Sequence, residues 1–157
     1  MDKLWAPWRV KYLRNLKQKK CIFCKGRTTK KNDSVIFKTD YALVMLNIFP
    51  YNNGHLLVSP LRHVSRLDQL KVDEVIGLFT ALTRAQSLLD KVLKPGGYNV
   101  GINLSRSAGA GITGHLHIHL VPRWLGDTNF MPILTGTKVI SQSLAELSKQ
   151  LKHAQAK

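Results

Sequence analysis

The run His115-Leu116-His117-Ile118-His119-Leu120 alternates imidazoles with aliphatic side chains. In an extended strand, residues two apart share a face. The spacing therefore predicts three imidazoles on one surface, with Leu116, Ile118 and Leu120 turned into a core. Half of the chain's six histidines sit in these five residues. A core has no use for such a cluster, because every buried imidazole needs hydrogen-bond partners. Two chemistries suit it. Alternate histidines can share a metal ion. Alternatively, one neutral imidazole can attack phosphorus and form a covalent nucleotidyl intermediate, while its neighbours give hydrogen bonds or protons to oxygens. Clustered imidazoles resist being protonated together, which keeps one of them nucleophilic.

The segment Ser105–Gly114 leads directly into this strand. Gly109, Gly111 and Gly114 allow backbone N–H groups to approach an anion closely, and Asn103, Ser105, Arg106 and Ser107 add donors. Beside a histidine face, such a loop is a candidate phosphate cradle. Charge agrees: 24 Lys and Arg against 9 Asp and Glu give a formal +15. Residues 1–31 hold eleven of those cations and one acid, Asp2. Such a field attracts nucleotides, nucleic acid or acidic membrane surfaces without choosing among them. The two cysteines, Cys21 and Cys24, are too few for a disulfide framework. Their spacing suits half a zinc site or a redox pair.

The elements that must carry these groups are legible. At 157 residues and 44% hydrophobic, the chain fits one domain with one core. No apolar run spans a bilayer. The first twenty residues lack a continuous apolar core, so no secretory signal is read and a cytoplasmic location is expected. Lys25–Lys31 lacks periodicity and reads as a loop. Ser34–Phe37 and Tyr41–Leu46 form a hairpin pattern. Pro50–Gly54 is turn chemistry, and His55–Ser59 is a third strand. Over 73–92, Val75, Leu78, Phe79, Leu82, Ala85, Leu89 and Val92 recur at helical spacing. Asp73 is the expected cap, and Pro95-Gly96-Gly97 the stop. Tyr98–Leu104 and His115–Pro122 complete five strands, and Ile140–Leu151 is an amphipathic helix. The expected class is α+β: a five-stranded antiparallel sheet, one long helix and a C-terminal helix. Three regions follow: a basic arm with the Cys pair (1–31), a catalytic domain (32–135), and a C-terminal helix and tail (136–157).

With these residues in view, the sequence resembles the histidine-triad (HIT) superfamily. The triad pattern His115-Leu-His-Ile-His-Leu-Val121 carries the resemblance. Leu46-Asn47-Ile-Phe-Pro50 and Gly54-His55-Leu-Leu-Val58-Ser-Pro60 are similar to the nucleotide-binding strands of the fragile-histidine-triad branch. Pro122-Arg123-Trp124-Leu-Gly126-Asp127-Thr-Asn129-Phe130, the opening Leu4-Trp5-Ala-Pro7-Trp8-Arg9 and Cys21-Ile-Phe-Cys24 resemble bacterial diadenosine tetraphosphate phosphorylases and hydrolases. The likeness spans roughly residues 4 to 135. It implies cleavage of a dinucleoside polyphosphate through a nucleotidyl-histidine, with His117, His119 and His115 as the catalytic triad. His117 would attack the α-phosphorus, and His119 would meet the transferred phosphate or the leaving oxygen. His55 would line the phosphate site, Asn47 would sit at the ribose, and Leu46 and Ile48 would flank the base. Asn103 and the Ser105–Gly111 loop, with Gly109 and Gly111, would hold phosphates, and Trp124 could stack on a second base. Fragile-histidine-triad hydrolases carry a glutamine in the loop before the triad. This loop has none, and Ala110-Gly111 stands where phosphorylases favour Gly-Ser, so hydrolase and phosphorylase both stay open.

The same resemblance implies a structural zinc held by Cys21, Cys24, His63 and His115, and a homodimer that joins two sheets. Magnesium is expected only as the usual companion of a polyphosphate substrate. The competing reading of the cysteines is two free, packed thiols. A nucleoside phosphoramidase uses the same triad, but Trp124-Leu-Gly126-Asp127-Thr-Asn129-Phe130 argues against it. An aprataxin-like nucleic-acid-binding module is the rival from another class. The basic first 31 residues, with Trp5 and Trp8 beside Arg9 and Lys11, favour it; the lack of an added zinc finger weakens it. Asp127 reads as a turn residue before a base or ligand.

Overall fold

In the central strands, alternate side chains meet two different layers. This is the physical reason that β2 and β3 are buried along their whole length. The computed structural model describes residues 21–29, 32–128 and 140–155. Trp5, Trp8, most of the basic arm, Asn129 and Phe130 lie outside the described residues. In chain order the elements are α1 (Ile22–Thr28), β1 (Val35–Lys38), β2 (Ala42–Leu46) and β3 (Leu56–Pro60), then a 3-10 turn at Leu67–Gln69. They continue with α2 (Val72–Leu93), β4 (Gly97–Ile102), β5 (Ile118–Arg123) and α3 (Leu144–Gln155). The five strands form one antiparallel sheet in the order β1-β2-β3-β5-β4. The expected α+β class, sheet and helices are all present. Among the described residues, no helix is long and apolar enough to cross a membrane.

One face of the sheet carries the main core. Ala42, Val44, Leu46, Leu56, Val58, Ile118 and Leu120 meet Leu78, Ala81, Leu82, Ala85, Leu88 and Leu89 of α2, with Leu147 and Leu151 of α3. The other face carries Leu43, Met45 and Leu57 against Phe23 of α1. Ile118 and Leu120 thus enter the main core as their alternation predicts, and His117 and His119 project from the opposite side. α3 is strapped to the β1 end: Gln155 Nε2 donates to the Ile36 carbonyl at 2.9 Å, and Ser148 Oγ donates to the Asp33 carbonyl.

Several expectations need correcting. Residues 25–28, read as loop, belong to α1, whose Phe23 and Gly26 are buried. The helix has only seven residues, with Gly26 inside it, so its periodicity is weak; docking on the sheet holds it. Val75 and Phe79 do not belong to the core stripe of α2; they are 41% and 59% exposed. Asp73 lies in the first turn, while Lys71 holds the cap position. The Glu74 carboxylate accepts the Lys71 N–H at 2.8 Å. Glu74 can serve there because Arg62 also binds it in a bidentate pair, at 2.9 and 2.7 Å. α2 ends with Lys94 itself in the left-handed region, φ 46°, just before Pro95.

Candidate functional site

β5 enters the ladder only at Ile118, later than expected, so His115 and His117 sit just before it. The segment is held from the side, with Leu116 N–H donating to the Val64 carbonyl at 2.6 Å. His119 is inside the sheet, paired with Leu57 of β3 and Gly101 of β4. Gly114 leaves room for a neighbouring loop, since a Cβ there would stand 3.4 Å from His63 Nε2.

Backbone partners fix the ring protons. A carbonyl only accepts, so His117 Nδ1, 2.8 Å from the His115 carbonyl, carries a proton. Neutral His117 therefore presents the Nε2 lone pair. By the same rule His115 Nε2, 2.9 Å from the Pro60 carbonyl, is protonated, and its Nδ1 lone pair faces the cysteines. Both nitrogens of His115 are thereby engaged. The Tyr51 N–H donates to His55 Nδ1 at 3.0 Å, so His55 carries its proton on Nε2, 2.9 Å from His119 Nδ1.

Burial keeps these rings neutral. His115 and His117 are 1% and 5% exposed. Burial lowers His117 below the ordinary imidazole value. It holds His119 at about 4, helped by repulsion from His117. Burial also holds His115 at about 4, helped by nearby His63, His117 and Arg27. The covering group is Phe23, whose ring centroid lies 5.0 Å from His115 and 5.2 Å from His117. Sequence reasoning missed Phe23; its signal was an aromatic residue between the two cysteines. On the other side Tyr51 stacks on His119, with centroids 5.6 Å apart and planes at 11°.

Cys21, Cys24, His63 and His115 converge, with one donor atom from each lying within 4.8 Å of all the others. The separations are 3.3 Å for Cys21 Sγ to His115 Nδ1, 3.3 Å for Cys24 Sγ to His63 Nδ1, and 3.7 Å for Cys24 Sγ to His115 Nδ1. Tetrahedral zinc bonds to sulfur and nitrogen imply S–N edges of about 3.5 Å. The donor set and its spacing fit a metal ion, and the Pro60 carbonyl behind His115 is the outer partner that metal-binding imidazoles use.

The remaining candidates are distributed around this centre. His55 is 1% exposed and reaches the site through His119. Asn47 is committed to its own loop: Oδ1 accepts the Phe49 N–H at 3.0 Å, and Nδ2 faces His55 Nδ1 at 3.3 Å. Leu46 is in the main core, while Ile48 is half exposed. In the Asn103–Gly114 loop, Ser105 and Gly109 both take positive φ, 70° and 87°. The turn between them is closed by Ala110 N–H to the Ser105 carbonyl. Gly111 lies just beyond this turn. Trp124 follows the opposite end of β5, about seven residues and roughly 20 Å along the strand from His117. There it lines a cleft of about 470 Å³ with Asn52, Asn53, Leu93 and Asp127. Asp127 is the turn residue expected, accepting from Arg123 at 2.6 Å, Asn52 at 2.8 Å and the Trp124 N–H at 3.2 Å.

The chain is similar to several known proteins. The AP-4-A phosphorylase of Mycobacterium tuberculosis is 35% identical over 161 residues, covering 96% of this chain and 83% of that protein. The asymmetrical bis(5'-nucleosyl)-tetraphosphatase of Schizosaccharomyces pombe is 34% identical over 93 residues, covering 59% of this chain and 50% of that one. A Zn-bound histidine triad family protein from Mycobacterium smegmatis superposes with a TM-score of 0.69 at 26% identity, covering 87% of this chain and 93% of that one. The model of the HIT domain matches residues 28–124. That span carries both β-hairpin strands, the long helix and all three alternating imidazoles, and on these grounds the chain belongs to the HIT-domain family.

Proposed function

We propose that this protein cleaves dinucleoside polyphosphates, diadenosine tetraphosphate among them, by two-step nucleotidyl transfer through His117. The observation that carries the reading is the proton placement. His117 is a buried neutral imidazole whose lone pair is on Nε2, and its neighbour His119 is neutral with a protonated Nε2. In the first step the His117 lone pair attacks the α-phosphorus, and the P–O bond to the remaining polyphosphate breaks. Its electron pair leaves on the departing oxygen, opposite the His119 N–H. In the second step water or orthophosphate attacks the phosphorus, the P–N bond breaks with its electron pair returning to His117 Nε2, and any proton on the attacking oxygen passes to solvent. Backbone N–H groups of the Asn103–Gly111 loop bind phosphate oxygens, a role that the paired positive-φ residues support. The relatives' names support the substrate class.

Cys21, Cys24, His63 and His115 would hold a zinc ion with four protein ligands. Having no open position, it would supply structure rather than catalysis. β4 is an outer strand of the sheet, as is β1, and Val100 is 54% exposed on it. Its outer edge, unpaired among the described residues, supports a homodimer through β4, with sedimentation velocity of the Val100→Asp variant as its test.

The test of function is product analysis with diadenosine tetraphosphate, with and without orthophosphate, for the protein and His117→Ala. ADP and ATP formed only with orthophosphate define a phosphorylase; AMP and ATP formed in water define a hydrolase. Turnover retained by His117→Ala, or none by the unaltered protein, refutes the mechanism.

A further inference from the structure

We propose that Cys21 and Cys24 are an oxidation site: hydrogen peroxide joins them in a disulfide, the ion they would share with His63 and His115 is released, and α1 lifts its Phe23 from over His117. The consequence for turnover rests on the nucleotidyl-transfer reading above; the sulfur chemistry does not. The Cys-x-x-Cys spacing suits either a zinc site or a redox couple, and the fold builds both from the same atoms. Cys21 caps α1 and Cys24 is its third residue, so both sulfurs gather at the first turn. They lie within 4.8 Å of each other, and a disulfide asks them to close to about 2 Å. A Cys-x-x-Cys pair at a helix start is an arrangement of reactive thiols. Both cysteines are partly exposed, and His63 beside Cys24 is open to solvent, so a small oxidant reaches the sulfurs.

One sulfur attacks a peroxide oxygen, the O–O bond breaks and hydroxide leaves, giving a sulfenic acid. The second sulfur attacks the first, the S–O bond breaks and another hydroxide leaves. Two thiolates and one peroxide thus give one disulfide and two hydroxides, which take protons from solvent. The thiolate is the metal ligand, so the uncharged disulfide lets the ion go. His115 Nδ1, 3.3 Å from Cys21 Sγ, is then left without that partner in a buried site, a cost relieved by admitting water. α1 is still held by Phe23 among Leu43, Met45 and Leu57, by Arg27 Nη1 donating to the Leu61 carbonyl at 2.8 Å, and by Lys38 Nζ donating to the Arg27 carbonyl at 3.4 Å. A helix of seven residues has little stability of its own. Phe23 leaves His117 with it, and the His115 carbonyl that accepts the His117 Nδ1 proton at 2.8 Å loses its support.

The test treats the zinc-loaded full-length protein with hydrogen peroxide, and three readouts need no substrate. Zinc released to a chromogenic chelator should match the disulfide formed, the intact mass should fall by two hydrogens, and amide exchange should quicken in α1 but not in α2. With diadenosine tetraphosphate, kcat/KM should fall about tenfold as His117 loses its placement, and dithiothreitol with zinc should restore it. Cys24→Ser, which cannot form the bridge, should show no peroxide-dependent change in exchange or turnover. Zinc retained with both thiols still alkylated by iodoacetamide overturns the proposal, and so does a disulfide that leaves exchange in α1 unchanged. An equal loss in Cys24→Ser places the damage elsewhere and overturns it too. Absence of turnover by the untreated protein would instead refute the reaction, while zinc release, mass and exchange still decide the oxidation site.

Discussion

Replacing Gly54 by alanine tests how tightly the turn before His55 is built. Gly54 has φ +78°, and a Cβ there would meet Leu93 Cδ1 at 2.5 Å, Pro122 Cγ at 3.0 Å and Leu89 Cδ2 at 3.2 Å. Two costs follow. The left-handed backbone costs a residue with a Cβ roughly 1–2 kcal/mol. Overpacking adds about 1–3 kcal/mol, because Leu89 belongs to the core and Pro122 is part of β5. Stiffening of the unfolded chain returns about 0.4–1 kcal/mol. The expected net loss is about 2–4 kcal/mol. Gly109→Ala is the internal control. Its φ is +87°, but a Cβ would meet only Asn103 Nδ2, at 3.9 Å. It pays the backbone cost alone, about 1 kcal/mol after the unfolded-state gain. Guanidinium unfolding followed by circular dichroism measures both variants. Equal losses would refute the packing half of the reasoning. Because His55 follows Gly54 directly, kcat should also fall in Gly54→Ala.

Phe23→Ala should cost about 3–4 kcal/mol or undock α1 locally, with faster hydrogen exchange confined to α1 marking the second outcome. Removing metal with a strong chelator should lower the melting temperature of the protein but not that of Cys24→Ser; identical unchanged curves with no metal by mass spectrometry would remove the zinc reading. Arg62 holds the Glu74 carboxyl at about 2, below its ordinary 4.5. A depressed carboxylate contributes stability that is complete above the ordinary value and lost as pH falls toward the folded one. Acid titration of unfolding should therefore show a loss between about pH 5 and 2 that Glu74→Gln flattens.

The histidine face was legible because strand alternation is a two-residue rule that tertiary structure rarely overrides, and Ile118 and Leu120 obey it. The long helix was legible from its core positions, but not its exposed Val75 and Phe79, since apolar type alone does not say which neighbours exist. α1 was hidden because Phe23 is held by Leu43, Met45 and Leu57, far away in sequence. The surroundings of His55 were hidden for a related reason. Sequence brings His55 near a phosphate only by likeness, whereas the fold sets its ring against the Tyr51 N–H, the Asn47 amide and an imidazole 64 positions away.

The four converging donors also have a consequence for the unfolded chain. Cys21 and His115 are separated by 94 positions, and Cys24 and His63 by 39. An ion gripping all four would be a cross-link closing long loops, and the entropy it removes from the unfolded ensemble grows with the logarithm of loop length. Such a clip would fasten the start of the chain to the strand that carries the nucleophile. The segment bearing Phe23 would then stay over the imidazoles at little further entropic cost.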